Sequence, residues 1–219
     1  MKRIRQVVSY LLKTKQEKRH SLVGAGNLWK MKRDFQIKFL LDQELKKTDK
    51  LLDIGCGTLR GGIPIIEYLN AQNYYGIDVR EETIIEARKE LKAFNLESKK
   101  PTLFSFDHFG NIKLEESMDV MFAFSVLIHL KDDIVENCFK FVSKYLDAKG
   151  VFYANVNIGK STEGNWQGFP VVFRSLDFYK DLALRNSLKV EVIGNLKELG
   201  HDSGKKSDVQ QQMLKFYKV

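Results

Sequence analysis

The sequence predicts an α/β fold in which a mostly parallel sheet carries helices on both faces, and three observations predict it. Short apolar runs alternate with helix-length stretches between Lys50 and Ile193, the pattern of repeated strand–helix–strand units. A glycine-rich turn, Asp53 to Gly62, falls where the first run meets the first such stretch. The polar, Gly- and Lys-rich connection between Ile193 and Met213 holds no helix-length pattern, so the last strand is free to return antiparallel beside its predecessor.

Taken in order, Leu28 to Lys46 reads as a helix with Trp29, Phe35, Phe39, Leu40 and Leu45 as its buried positions. Strand Lys50–Ile54 leads into helix Leu59–Leu69, and strand Tyr74–Ile77 into helix Glu81–Phe94. Thr102–Phe106 is a further strand. Strand Asp119–Phe124 precedes helix Asp132–Leu146, and strand Val151–Val156 precedes helix Leu176–Asn186. Lys189–Ile193 and Met213–Tyr217 complete seven strands. The crossovers between parallel strands are expected to be right-handed.

A chain of 219 residues, 43% of them hydrophobic, supports one core of ordinary size. Its expected division is a helical extension and lid over residues 1–47 and the sheet domain over 48–219. Cys56 and Cys138 form no CxxC pair and no disulfide framework, which fits a reducing, cytoplasmic setting. No His, Asp or Glu cluster has zinc-ligand spacing; Asp132-Asp133 suits a helix start, and no metal is expected. Apolar runs fall short of the roughly 18–20 residues of a membrane span, and no signal-peptide cleavage pattern follows the basic start.

Charge is concentrated at one end. Lys2, Arg3, Arg5, Lys13, Lys15, Lys18 and Arg19 against Glu17 give residues 1–20 a charge of +6 out of the net +8. Ile4, Val7, Val8, Leu11 and Leu12 recur there at helical spacing. Three readings stay open: a helix docked on its own domain, a basic amphipathic helix touching anionic lipid, or an arm for a partner or nucleic acid. The nearly balanced remainder disfavours a nucleic-acid cleft.

The turn reads Asp53-Ile54-Gly55-Cys56-Gly57-Thr58. Glycine allows a sharp turn and close approach of a ligand to the main chain. Arg60 fills the third position of G-x-G-x-x-G, and no G-x-x-x-x-G-K-[ST] loop is present. Asp53 is an awkward neighbour for a pyrophosphate but suits a cationic amino group. About twenty residues on, Tyr74-Tyr75-Gly76-Ile77-Asp78 ends a strand in an acid, where a carboxylate can accept from both ribose hydroxyls.

These residues resemble the class I S-adenosylmethionine-dependent methyltransferases. Asp53-Ile54-Gly55-Cys56-Gly57 is similar to the family's first motif and Tyr75-Gly76-Ile77-Asp78 to its second. Phe106-Asp107 lies where the family often places an acid near the adenine, and Phe124-Ser125-Val126-Leu127-Ile128-His129-Leu130 resembles the segment flanking the methyl group. The resemblance implies a Rossmann-like seven-stranded sheet in the order 3-2-1-4-5-7-6, last strand antiparallel, with S-adenosyl-L-methionine as cofactor. The candidate residues around that cofactor are Asp53, Gly55, Cys56, Gly57, Arg60, Asp78, Val79, Asp107, His108 and Ser125, with Arg60 open between the cofactor carboxylate, an anionic substrate and a salt bridge at the helix end. Trp29, Gln36, Leu59-Arg60-Gly61-Gly62, Gly200-His201 and Gln211-Gln212-Met213-Leu214 resemble a bacterial subgroup that acts on small molecules or in surface-polysaccharide pathways, although Lys205 to Val209 intervene between the histidine and the glutamines.

Methyl transfer to oxygen is often served by a base, and histidine titrates near neutrality. His129 after strand four and His201 after strand six are the catalytic candidates. His20, ahead of Gly24-Ala25-Gly26, suits a lid, and His108 a structural role. Ile158–Arg174 reads as a long polar and aromatic loop suited to a sugar. The expected function is O-methylation of a small polar metabolite, such as a nucleotide sugar or glycan intermediate, by a monomer or homodimer. The alternatives are an RNA or protein methyltransferase using the basic N-terminus, and a cofactor-binding module without turnover. No Asn/Asp-Pro-Pro-Tyr/Phe sequence follows strand four, which disfavours base-amine methylation.

Overall fold

The computed structural model describes Thr14 and residues 28–160, 162–166 and 168–219. The expected helix around Ile4–Leu12 and the lid segment around His20 lie outside the described residues. Helix α1 (Trp29–Asp42) precedes β1 (Leu51–Ile54), α2 (Gly62–Tyr68), β2 (Tyr74–Asp78), α3 (Glu81–Ala93), β3 (Thr102–Ser105) and β4 (Met118–Ala123). Then come α4 (Asp132–Tyr145), β5 (Leu146–Asn157), β6 (Thr162–Trp166), β7 (Phe169–Phe173), α5 (Leu176–Arg185), β8 (Leu188–Asn195), the short α6 (Ser207–Gln210) and β9 (Gln211–Lys218).

The seven-stranded sheet runs β3-β2-β1-β4-β5-β9-β8, and β6 pairs only with β7. Without that separate hairpin, the order is the expected 3-2-1-4-5-7-6. The pairs from β3 across to β5 are parallel, and β9 is antiparallel to both β5 and β8. Strand β1 is buried at every position, as a strand covered on both faces must be. One apolar layer joins Leu52, Ile54 and Met121 to Phe139, Phe152 and Phe216. The opposite layer joins Leu51, Phe122 and Tyr153 to Phe35, Phe39 and Ile65, so α1 packs into this second core. All five side chains expected to be buried in the first helix are buried.

Three local readings are corrected. The first crossover helix begins at Gly62 rather than Leu59; Leu59 takes a left-handed φ of 63°, so Leu59 and Arg60 belong to the turn. Strand five begins at Leu146, which pairs with Met118 ahead of a register shift, and Gly150 sits close under the Met118 carbonyl. The expected loop Ile158–Arg174 is largely a hairpin, with Trp166 opposite Phe169 across a two-residue turn. Asn165 Oδ1 accepts from the Gly168 N–H at 3.0 Å, and Gly168 has φ 89°. A two-residue connection ending in glycine, before the β-favouring run Phe169–Phe173, is the signal for this hairpin.

Gly55 has φ 74°, and a Cβ there would stand 2.4 Å from Val126 Cγ2. Gly55→Ala is therefore expected to lose about 2 kcal/mol or more, combining left-handed strain with a clash against the half-buried Val126 side chain. Urea unfolding of the variant measures this; unchanged stability would contradict the assignment of the turn.

Candidate functional site

The site lies along the carboxyl ends of β1, β2, β4 and β5, where open α/β sheets hold ligands. At β1 the chain turns through Gly55 and Cys56, whose N–H groups both donate to the Ile77 carbonyl, at 2.7 and 3.0 Å. This fastens the turn to β2. Cys56 is buried, and burial raises its thiol well above the usual range, so it fills space in the turn and is no nucleophile.

Asp53 is buried, and its Oδ2 accepts from the Tyr74 hydroxyl at 2.7 Å. Burial pushes its carboxyl up to about 7, against the Tyr74 hydrogen bond, with the Asp78 charge adding to the rise. Tyr74 reaches Asp53 because residue 62 has no side chain: a Cβ at Gly62 would stand 2.5 Å from the Tyr74 oxygen. Gly61 makes room for α1, since a Cβ there would meet Gln36 Oε1 at 2.3 Å. The Arg60 guanidinium lies 5.9 Å from the centroid of the Trp29 ring. Burial brings Arg60 down to about 10, opposed by the Asp53 charge. The Arg60-Gly61-Gly62 sequence thus seats α1 over the turn and frees Tyr74 to reach Asp53.

Asp78 ends β2 with both oxygens engaged: Oδ2 accepts from the Gly57 N–H at 3.1 Å, and Oδ1 from the Arg80 N–H at 3.0 Å. Each carboxylate oxygen has a second lone-pair direction for a ribose hydroxyl. Arg80 Nε also lies 3.3 Å from Oδ1, and the Arg80 guanidinium is 5.8 Å from the Phe169 ring. Val79 is exposed beside Asp78. Asp107 is exposed beyond β3 and accepts from Asn111 Nδ2 at 3.0 Å. His108 caps the Phe109–Asn111 turn by accepting the Gly110 N–H on Nδ1, a structural use of the residue.

Beyond β4, Ser125 is held at φ 62°, a conformation that costs a non-glycine residue energy and occurs at functional turns. Its N–H donates to Asn155 Oδ1 at 2.6 Å, and Asn155 Nδ2 donates to Gln211 Oε1 at 2.8 Å. His129 follows on the Leu127–His129 turn. Its Nδ1 lies 2.7 Å from the Pro170 carbonyl and its ring 5.9 Å from Phe169. A carbonyl only accepts, so the proton sits on Nδ1 and the neutral ring keeps a lone pair on Nε2. The hairpin therefore spans the site: Phe169 touches the arginine holding Asp78 and also the ring of His129.

His201 arrives from the β8–β9 connection and is buried against Phe35 and Phe124, ring centroids 5.1 and 5.6 Å away. Its Nδ1 lies 3.1 Å from Asp208 Oδ1. Ser203 fixes that carboxylate with its N–H at 2.6 Å from Oδ2 and its hydroxyl at 2.9 and 2.7 Å from the two oxygens. His201 Nε2 is buried with no hydrogen-bond partner among the described residues. Burial lowers both histidines, opposed by the Pro170 carbonyl at His129 and by the Asp208 charge at His201; the nearby Lys32 charge lowers both further. A neutral ring is the form that takes up a proton.

Sequence reasoning missed Lys32, Ser203 and Asp208. The signal for Lys32 was available, because it lies three residues after Trp29 and four before Gln36, on the helix face that meets the turn. The inserted segment Lys205–Val209 obscured Asp208, which folds back onto the histidine it follows.

The polar groups suit S-adenosylmethionine: a carboxylate at Asp53 for an ammonium, a guanidinium at Arg60 for a carboxylate, and Asp78 for ribose hydroxyls. Residues 52–152 match the sequence profile of a family described as a methyltransferase domain. No curated protein sequence matches the chain. Several solved structures share the fold. Magnesium protoporphyrin IX methyltransferase from Synechocystis PCC 6803, solved with bound S-adenosylmethionine, is 14% identical, with 97% of this chain and 95% of that one covered and a TM-score of 0.66. An S-adenosylmethionine-dependent methyltransferase from Clostridium acetobutylicum ATCC 824 is 14% identical, covering 87% of this chain and 92% of that one, TM-score 0.64. The glycopeptide N-methyltransferase MtfA is 13% identical over 85% of this chain and 90% of its own, TM-score 0.64. The chain thus carries a methyltransferase-domain profile on a fold shared with S-adenosylmethionine-dependent methyltransferases.

Proposed function

We propose that the chain methylates a hydroxyl oxygen of a small polar metabolite, such as a nucleotide sugar or surface-glycan intermediate, with a histidine as base. The observation that carries this reading is His201, with Nδ1 on the Asp208 carboxylate and Nε2 buried without a hydrogen-bond partner among the described residues, together with His129, whose Nδ1 lies on the Pro170 carbonyl. His201 is the better placed of the two, because a buried carboxylate stabilises its ring once protonated. Asp53, Arg60 and Asp78 hold the amino, carboxylate and ribose groups of the cofactor, with Gly55, Cys56 and Gly57 shaping the turn and Ser125 beside the methyl position. When bound, the cofactor supplies a methyl group on a sulfonium. The protein aligns the acceptor oxygen, and His201 Nε2 takes up its proton. The hairpin offers Asn165 and Phe169 to a sugar, both exposed. Buried, unpaired Cys56 and Cys138 fit the reducing setting of a cytoplasmic enzyme. Relatives of the same fold named for a porphyrin and a glycopeptide support an acceptor outside nucleic acid.

The test is a screen of sugar nucleotides, glycolipid precursors and hydroxylated metabolites with methyl-labelled cofactor. His201→Gln is expected to reduce turnover on the acceptor found by about 10²–10⁴-fold while keeping cofactor affinity. Label passing only to RNA or protein, or full turnover in both His201→Gln and His129→Gln, would overturn the reading.

A further inference from the structure

Lys32 stands on the face of α1 that meets the glycine turn and, among the described residues, has no counter-ion. On α1 it lies between Trp29, which meets Arg60, and Gln36, which meets Gly61. Phe35 on the same helix meets Phe124 and His201. The Lys32 side chain is half-buried. Among the described residues, its ammonium makes no ion pair or hydrogen bond; the one bond made by this residue beyond the helix ladder is from Gln36 Nε2 to its carbonyl.

Its charged neighbours compound the cost. Burial, with the charges of Arg60 and Lys205 adding to it, lowers the Lys32 ammonium to about 8. Asp208 is the one acid opposing them, and Asp208 is already engaged by Ser203 and His201. A partly desolvated ammonium among other cations is costly unless an anion completes the group. The same ammonium lies within electrostatic reach of both His129 and His201, where the acceptor must lie. Arg60, between Asp53 and the Trp29 ring, is placed for the carboxylate of the cofactor, which leaves Lys32 for a second anion.

We propose that Lys32, flanked by Lys205, is the recognition residue for an anionic group of the methyl acceptor, a phosphate or a carboxylate, and thus that the acceptor is acidic. This inference rests on the reading of a small polar acceptor and names its charge. An anion held here lies beside the histidine base and raises the readiness of His129 and His201 to accept a proton, by offsetting the lysine charge.

The experiment titrates inorganic phosphate, and separately acetate, into protein saturated with S-adenosylhomocysteine, following heat and the histidine ring resonances. Phosphate binding in the low millimolar range is expected, with at least tenfold loss in Lys32→Met, retention in Lys32→Arg, and no change in the distant Lys149→Met. Stronger binding of acetate than phosphate would assign a carboxylate, and the reverse a phosphate. Equal phosphate binding by wild type and Lys32→Met would overturn the proposal. So would loss of S-adenosylhomocysteine affinity in Lys32→Met with phosphate binding intact, which would place Lys32 on the cofactor. Retained S-adenosylhomocysteine binding with no uptake of either anion refutes the acidic acceptor while leaving a neutral polar one standing.

Discussion

Asp78→Ala is expected to lose affinity for S-adenosylhomocysteine by at least 100-fold. Two hydrogen bonds from ribose hydroxyls to an ionised carboxylate contribute about 1.5–3 kcal/mol each, and about 1.4 kcal/mol is a factor of ten. The loss has a second source in the protein itself. Asp78 holds the Gly57 N–H and the Arg80 N–H, so the alanine variant also frees the glycine turn and the arginine under Phe169. Calorimetric titration of variant and wild type reads the affinity, and thermal melting by circular dichroism separates loss of ligand contacts from loss of fold. Equal affinity in a folded variant would remove Asp78 from the ribose.

Asp53→Asn is expected to stabilise the ligand-free protein at pH 8 by about 2–4 kcal/mol, with the gain absent at pH 4. The carboxyl titrates at about 7 in the folded chain, above its ordinary value near 3.9. Native protein therefore holds this proton where unfolded chain has released it. Stability falls as pH rises from about 4 to 7, then the penalty is constant because both states are ionised. Asparagine keeps an acceptor for the Tyr74 hydroxyl and carries no buried charge. The same change removes the carboxylate proposed to hold the ammonium of the cofactor, so affinity for S-adenosylhomocysteine should fall as stability rises. Urea unfolding at pH 5 and pH 8 measures the first effect. An asparagine variant less stable than wild type at pH 8 would contradict the buried-charge account.

Most of the sheet was legible because parallel strands buried on both faces read as short, mostly apolar runs, as Leu51–Ile54 and Met118–Ala123 do with a single aspartate in each. The polar Ile193–Met213 connection correctly marked the antiparallel return of β9. The boundaries at Leu59 and Leu146 were not legible, since one depends on a left-handed residue and the other on a strand irregularity. The hairpin was misread as a loop because its polar residues, Asn165 and Gln167, outweighed the Phe169–Phe173 run. At the site, the glycine turn and Asp78 could be read locally because one strand–helix–strand unit supplies both. The sites of Ser203 and Asp208 are set by tertiary packing, since Asp208 meets His201 only after the chain doubles back through Ser203, whereas Lys32 could be read from its spacing to Trp29 and Gln36.

The glycine turn discriminates between an amino-acid end and a pyrophosphate. Asp53 beside Gly55 and Arg60 in place of a third glycine favour an amino-acid end over a pyrophosphate. Titration calorimetry of the purified chain with S-adenosylhomocysteine and, in parallel, with NAD decides it. One S-adenosylhomocysteine per chain and no heat from NAD is the predicted result; NAD binding at the same site, or no binding of S-adenosylhomocysteine, would contradict it.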